Sequence, residues 1–155
     1  MDQNFRTDQP LEAEFAHFYR RAFNLPPLAA KIVAYLLFDF EHRGLTFHEL
    51  TELFASSKSS VSSALNLLLD IGLIKDFTKP DERKRYFVNN PQYGRIRLEN
   101  IVDKLTTEVD LLDRLFEFKE NVAPDEYNKF VIYRSLLTNN ITNIQDSLTK
   151  LYDEE

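Results

Sequence analysis

Residues 45–89 read LTFHELTELFASSKSSVSSALNLLLDIGLIKDFTKPDERKRYFVN, and the order of signals within them decides the fold. Thr46 and Glu49 stand at capping-box spacing, where a hydroxyl and a carboxylate each satisfy the other residue's backbone amide, and Leu45 and Leu50 flank them as a hydrophobic staple. A helix therefore starts just after Thr46, with Leu50, Leu53 and Phe54 inward. Ala55 and Ser56 make a turn, and Ser57 is placed to cap the next helix with its hydroxyl. In that helix, residues 58–71, Val61, Leu65, Leu68 and Leu69 form a buried stripe, and Gly72 stands where a left-handed residue ends a helix. LIKDF and KRYFVNN are rich in β-formers and flank TKPDE, so a two-stranded hairpin turning at Pro80 and Asp81 follows. Helix, short turn, helix and hairpin together make a winged helix-turn-helix.

The exposed side of the second helix carries Lys58, Ser59, Ser60, Ser62, Ser63 and Asn66 after its Ser57 cap. Small hydroxyls at a helix N-terminus leave amides and the positive dipole end open to phosphate. They also let the helix approach a groove floor closely, where Ser and Asn bond base edges. The hairpin tip adds Lys79, Arg83, Lys84 and Arg85. The chain as a whole has net charge -6. Between Ser56 and Phe87, however, six basic residues (Lys58, Lys75, Lys79, Arg83, Lys84, Arg85) outweigh four acidic ones (Asp70, Asp76, Asp81, Glu82), so this segment is +2 and the remainder -8. Screening confines phosphate attraction to about 8–10 Å at physiological salt, so the local island matters more than the total. Duplex DNA is the partner this pattern implies. A winged helix used for protein contacts, for example on a chromosome, is the alternative.

Outward from this unit, Thr7 or Asp8 caps a helix with Pro10 in its first turn, after a frayed, polar stretch at 1–7. Leu11, Phe15, Phe18 and Ala22 give that helix one apolar face, for core packing or for a subunit contact. Residues 28–40, LAAKIVAYLLFDF, are apolar nearly all round, as in a helix buried mid-domain. Toward the C-terminus, Leu98, Val102, Leu105, Val109, Leu112 and Phe116 repeat at 4-3-4-3-4, and Leu137, Ile141, Ile144, Leu148 and Leu151 at 4-3-4-3. Seams this regular are coiled-coil-like and require partner helices. The two long helices could pair within the chain. A homodimer knitted by Leu11, Phe15, Phe18 and both seams is the favoured arrangement. The chain of 155 residues is then one mainly α domain with a small β-hairpin wing: an N-terminal dimerisation helix at 8–24, the winged unit at 26–90 and two dimerisation helices at 91–155.

Other chemistries find little support. No Cys is present, so thiolate metal sites and disulfides are excluded. His17, His42 and His48 show no ligand spacing, and no metal or other cofactor is expected. G-x-S-x-G, phosphate-cradling glycine loops and dinucleotide turns are missing, so the protein reads as no enzyme. No run approaches the roughly 18 apolar residues of a membrane span, and MDQNFRTDQP lacks the regions of a signal peptide, which points to the cytoplasm. Phe15, Phe18, Tyr19, Tyr35 and Phe38 could line an aromatic ligand cleft, although aromatics at helical spacing are more often core.

With SKSSVSSALNLLLDIGLI and PDERKRYF in view, the chain resembles the MarR superfamily of winged-helix transcriptional regulators, and looks closest to its GbsR-like branch. The resemblance spans nearly the whole chain. It implies a homodimer on a pseudo-palindromic operator, acting as a repressor, with the second helix in the major groove and the wing near the minor groove. By position it would place Ser59, Ser60, Ser62 and Ser63 against DNA, make Arg83 the wing contact, and give Asp81 the task of holding Arg83. It also implies a small-molecule effector, whose identity no residue reveals. The departures are a short wing and a helix start with Lys58 as its only cation, which weakens the case for Arg-to-guanine readout.

Overall fold

Asp8 opens the first helix, α1 (Gln9–Ala22), by accepting from the amide of Leu11 at 3.0 Å. A computed structural model describes residues 5–152, in two compact units divided between Tyr93 and Gly94. Phe5, expected to fray, is instead buried: its amide donates to the Tyr35 hydroxyl at 3.1 Å, and their ring centroids lie 5.4 Å apart. Arg6 and Thr7 lie outside regular structure as expected, and residues 1–4 of that reading lie outside the described residues.

Helix α2 (Pro27–Leu36) is buried along Ala29, Ala30, Ile32, Val33, Ala34, Tyr35 and Leu36, as its all-round apolarity demands. It ends four residues before the expected Phe40. The cause is Asp39, a buried carboxylate that accepts from the amides of Arg43 at 3.0 Å and Gly44 at 2.7 Å and folds residues 39–44 into a turn. Gly44 then adopts φ +74°, and a Cβ there would meet Tyr86 Cβ at 3.0 Å and Val88 at 3.1 Å. Only glycine lets this turn press so closely on the sheet.

That sheet has three strands, one more than the expected hairpin. Strand β1 (Leu45–Thr46) pairs antiparallel with β3 (Arg85–Asn89), and β3 with β2 (Ile74–Thr78), in the order β1-β3-β2. Helix α3 (Phe47–Leu53) starts at the expected capping box. Glu49 N donates to Thr46 Oγ1 at 3.3 Å, and Thr46 N to Glu49 Oε2 at 2.7 Å. Ala55, at φ 45°, turns the chain into α4 (Lys58–Asp70), whose Val61, Ala64, Leu65 and Leu68 are buried, with Leu69 only half so. Gly72 at φ 75° and the Leu73 amide bonded to Leu68 O at 3.0 Å terminate α4.

The second unit is α5 (Tyr93–Phe118, continuing from the first unit's last residue) and α6 (Pro124–Tyr152), lying antiparallel. Contacts along their length fix that direction. Phe116 stacks on Phe130 at 3.6 Å, Arg134 grips Asp113 through two bonds of 2.6 and 2.8 Å, Tyr133 bonds Glu108 at 2.7 Å, and Arg95 lies over the Tyr152 ring. These contacts join the two helices within the chain. Two helices form only a thin core, so Leu98, Val102, Leu105, Val109, Leu112 and Phe116 are half-buried, as are Ile141, Ile144 and Leu148. Of the seam residues, only Leu137 is buried, and Leu151 is 64% exposed.

Arg134 holds the Asp113 carboxyl below the usual carboxylate range, chiefly by hydrogen bonding. A carboxylate that is more acidic folded than unfolded adds stability above its unfolded value of about 4 and loses it as pH falls further. Asp113→Asn should thus lower the melting temperature modestly at pH 7, since the pair is solvent-screened. The gap from the parent protein should close as pH drops below about 4. Melts that stay equally separated across that range would show that the pair contributes nothing through ionisation.

Candidate nucleic-acid interface

The buried stripe of α4 sets which side faces out. With Val61, Ala64, Leu65 and Leu68 turned inward, Lys58, Ser59, Ser60, Ser62, Ser63 and Asn66 are all exposed. Ser57 caps the helix as expected: its hydroxyl accepts from Ser60 N at 3.2 Å. The same Oγ lies 2.8 Å from Ser60 Oγ and 3.2 Å from Ser59 Oγ. Ser57 and Ser60 are thereby committed to the cap, while Ser62, Ser63 and Asn66 are free to meet a ligand. Beside this face runs an open groove of about 700 Å³, walled by Pro26, Pro27 and Leu28 against Ser56, Ser59, Ser60, Ser63, Ala64 and Leu67. Sequence reasoning missed the proline wall, because Pro26–Pro27 reads only as a helix break.

The wing differs in detail from expectation. Glu82 N donates to Lys79 O at 3.1 Å, with Pro80 next and Asp81 at φ 67°. This is the pattern of a type II turn, with Asp81 in the position usually given to glycine. Among the described residues no bond joins Asp81 to Arg83, so the bracing expected of Asp81 is absent. Its place in the turn is a backbone role.

Two of the four tip cations are engaged within the wing. Arg85 Nε donates to Asp76 Oδ2 at 2.7 Å, a diagonal cross-strand pair that holds the Asp76 carboxyl below its usual range. Lys79 Nζ lies 3.9 Å above the Tyr86 ring. Arg83 and Lys84 are exposed and make no ion pair or hydrogen bond among the described residues, and neither does Lys58. Lys75 on β2 is likewise exposed with no such partner among the described residues, so Lys58, Lys75, Arg83 and Lys84 are the cations of this unit with no ion pair there.

Of the five aromatics expected in a cleft or in the core, Tyr19 and Tyr35 belong to the core and Phe38 packs against it. Phe15 and Phe18 are exposed around Tyr19, Tyr35 faces Phe5 and Phe54, and Phe38 faces Phe40, so the five rings do not converge. Leu11, Phe15 and Phe18, at 43%, 37% and 46% exposure, do form an outward apolar face on α1. His48 is exposed beside Glu52, and no cluster of metal-ligating side chains occurs among the described residues. Among the same residues, no helix is long and apolar enough to cross a membrane.

No family model matches the chain, and no curated protein does. Solved structures do. A crystal structure of a transcriptional regulator matches 95% of this chain and 98% of its own, with 20% identity and a TM-score of 0.61. The fold is a winged helix-turn-helix. Two further solved structures overlap less well. MepR, a transcription regulator of the Staphylococcus aureus multidrug efflux pump MepA, has 15% identity over 90% of this chain and 91% of its own, with a TM-score of 0.43. A putative MarR family regulator from Listeria monocytogenes, complexed with 26mer DNA, has 18% identity over 91% and 86%, with a TM-score of 0.40. In the winged helix described here, α4 is the second helix of the helix-turn-helix and β2–β3 the wing.

Proposed function

We propose that the protein is a cytoplasmic, sequence-specific double-stranded DNA-binding transcriptional regulator of the MarR superfamily, a repressor acting as a homodimer. The observation that carries this reading is the joint exposure, on one winged unit, of a serine–asparagine helix face and of unpaired Arg83 and Lys84 at the wing tip. The helix would enter the major groove, with Ser62, Ser63 and Asn66 nearest the bases and Ser57 and Ser60 holding the cap. Lys58, Arg83 and Lys84 would meet phosphates, with Lys79 and Arg85 in supporting positions. The serine-rich helix is also the basis for its likeness to the GbsR-like branch. Catalysis has no part in this reading. A small-molecule effector would act by shifting the population of dimers whose two heads match the operator spacing.

Arg83→Ala should weaken duplex binding on every sequence and lower the slope of log affinity against log salt by about one, since one phosphate contact is lost. Fluorescence anisotropy across a salt series measures both. A parent protein with no affinity for duplex DNA at low salt would leave the winged unit as a protein-interaction module.

The dimer is proposed to use the outward face of α1 (Leu11, Phe15, Phe18) and the half-covered seams. It is also proposed to use a stripe the sequence reading overlooked. In an antiparallel helix pair, residues turned the same way from the seam fall on the same side. Asp113 and Arg134 meet on one side, Glu108 and Tyr133 on the other. Leu115 and Leu136 turn to the Tyr133 side by helical spacing and are exposed by 56% and 55%. Contiguous exposed apolar area of this kind marks interaction surfaces. Leu115→Asp with Leu136→Asp should weaken self-association by about 100-fold or more, because two carboxylates would be desolvated unpaired. Sedimentation should then show monomers with unchanged helical circular dichroism. A variant that remains dimeric would move the interface off this face.

A further inference from the structure

We infer that Tyr86, acting through Glu82 and Lys79, is the positioning residue that sets the wing tip and so aims Arg83 and Lys84; this rests on the DNA-binding reading above. Tyr86 stands on β3 directly opposite Phe77, with their rings stacked at 5.6 Å. The Gly44 backbone closes in behind it, leaving no room for a Cβ against Tyr86 Cβ. The ring is therefore fixed on a rigid strand. From that base its hydroxyl donates to Glu82 Oε2 at 2.5 Å, while Lys79 Nζ sits 3.9 Å over its face. Lys79 and Glu82 are the first and last residues of the tip's turn, also joined by Glu82 N to Lys79 O at 3.1 Å. One aromatic side chain thus grips both ends of the turn, by cation–π attraction on one side and by a charge-assisted hydrogen bond on the other.

Arg83 and Lys84 fill the two positions between Glu82 and the first residue of β3, Arg85. With Glu82 pinned to Tyr86 and Arg85 pinned to Asp76, the two unpaired cations occupy a short span anchored at each end. No bond from Asp81 contributes to this. A loop held in advance loses less conformational freedom on meeting a phosphate, so its cations bind with less entropic cost than those on a slack loop.

The test is a double-mutant cycle between Tyr86 and Arg83, which do not touch, read by anisotropy on one duplex at one salt concentration. Tyr86→Phe keeps the ring, the stack and the cation–π contact and removes only the hydroxyl. It should weaken binding roughly fivefold, as expected for loss of one charge-assisted bond, with an unchanged melting temperature. In the Tyr86→Phe background, Arg83→Ala should cost at least about threefold less than in the parent protein, because the guanidinium is no longer held in place. Glu82→Ala should behave like Tyr86→Phe, whereas Glu82→Gln, which still offers an oxygen acceptor, should retain most of the affinity. Strictly additive effects of the two substitutions, with Arg83→Ala still costly alone, would overturn the positioning role and leave the DNA reading standing. Equal losses in Glu82→Gln and Glu82→Ala would overturn the hydrogen bond as its cause. A parent protein that ignores duplex DNA would overturn the DNA reading itself and this inference with it.

Discussion

Ser63→Glu is expected to weaken duplex binding by at least about 100-fold while leaving the fold untouched, since one carboxylate set against phosphates adds repulsion and an unpaired desolvated charge. Ser63 is exposed on the outer side of α4, one turn on from Ser59 and one turn before Asn66 and Leu67, and it also lines the groove against Pro26–Leu28. Ser63→Ala separates charge from contact. It removes only a hydroxyl and should cost about 1 kcal/mol or less. Anisotropy on one duplex at one salt concentration, with thermal melts of all three proteins, makes the comparison. If the glutamate variant binds as the parent does, α4 does not approach DNA through this face.

Asp39→Ala should produce the largest loss of stability among substitutions of polar residues in the winged unit. The carboxylate is 4% exposed and accepts from two backbone amides, those of Arg43 and Gly44, and Gly44 N is buried with it. Alanine strands the buried Gly44 donor and leaves the half-buried Arg43 donor to water, which costs about 3 kcal/mol at one to three for the unsatisfied group plus about one for the second lost bond. The melting temperature should fall by about 10 °C for a domain of this size. The side-chain amide of an Asp39→Asn variant can still accept from one backbone N–H but must turn its NH2 toward the other, so an intermediate loss is expected. Chemical denaturation of the three proteins decides it. A loss under about 0.5 kcal/mol for alanine would mean that the 39–44 turn is held by other contacts.

What could be read from the sequence was what is local. The Thr46–Glu49 box, the Ser57 cap and the Gly72 terminus each involve residues within five positions of one another, so spacing alone reveals them. The end of α2 was hidden because LLFDF continues an apolar pattern. What stops the helix is a carboxylate reaching four and five residues ahead, into a segment that reads only as polar. Strand β1 was hidden for a different reason. Two residues make a strand only if a partner forty positions away accepts them, and Leu45↔Phe87 is such a pairing. The cations of the wing were legible as a group. Their division into engaged and free was not, since Asp76 and Tyr86 reach Arg85 and Lys79 from other positions in the hairpin. In the long helices the periodicity marked a half-buried face, yet a repeat counts one face at a time. Leu115 and Leu136 lie off that count, and their exposure is seen only once the two helices are laid antiparallel.

Thr46 belongs at once to β1 and to the cap of α3: its backbone pairs with Tyr86 while its side chain closes the first turn of the helix. Strand and helix-turn-helix therefore meet with no slack residue between them. A tilt of the wing would act directly on the first turn of α3. Sheet and helix are in effect one casting, so if the unit reads DNA as proposed, retuning of the sequence it prefers would fall to side chains such as Ser62, Ser63 and Asn66.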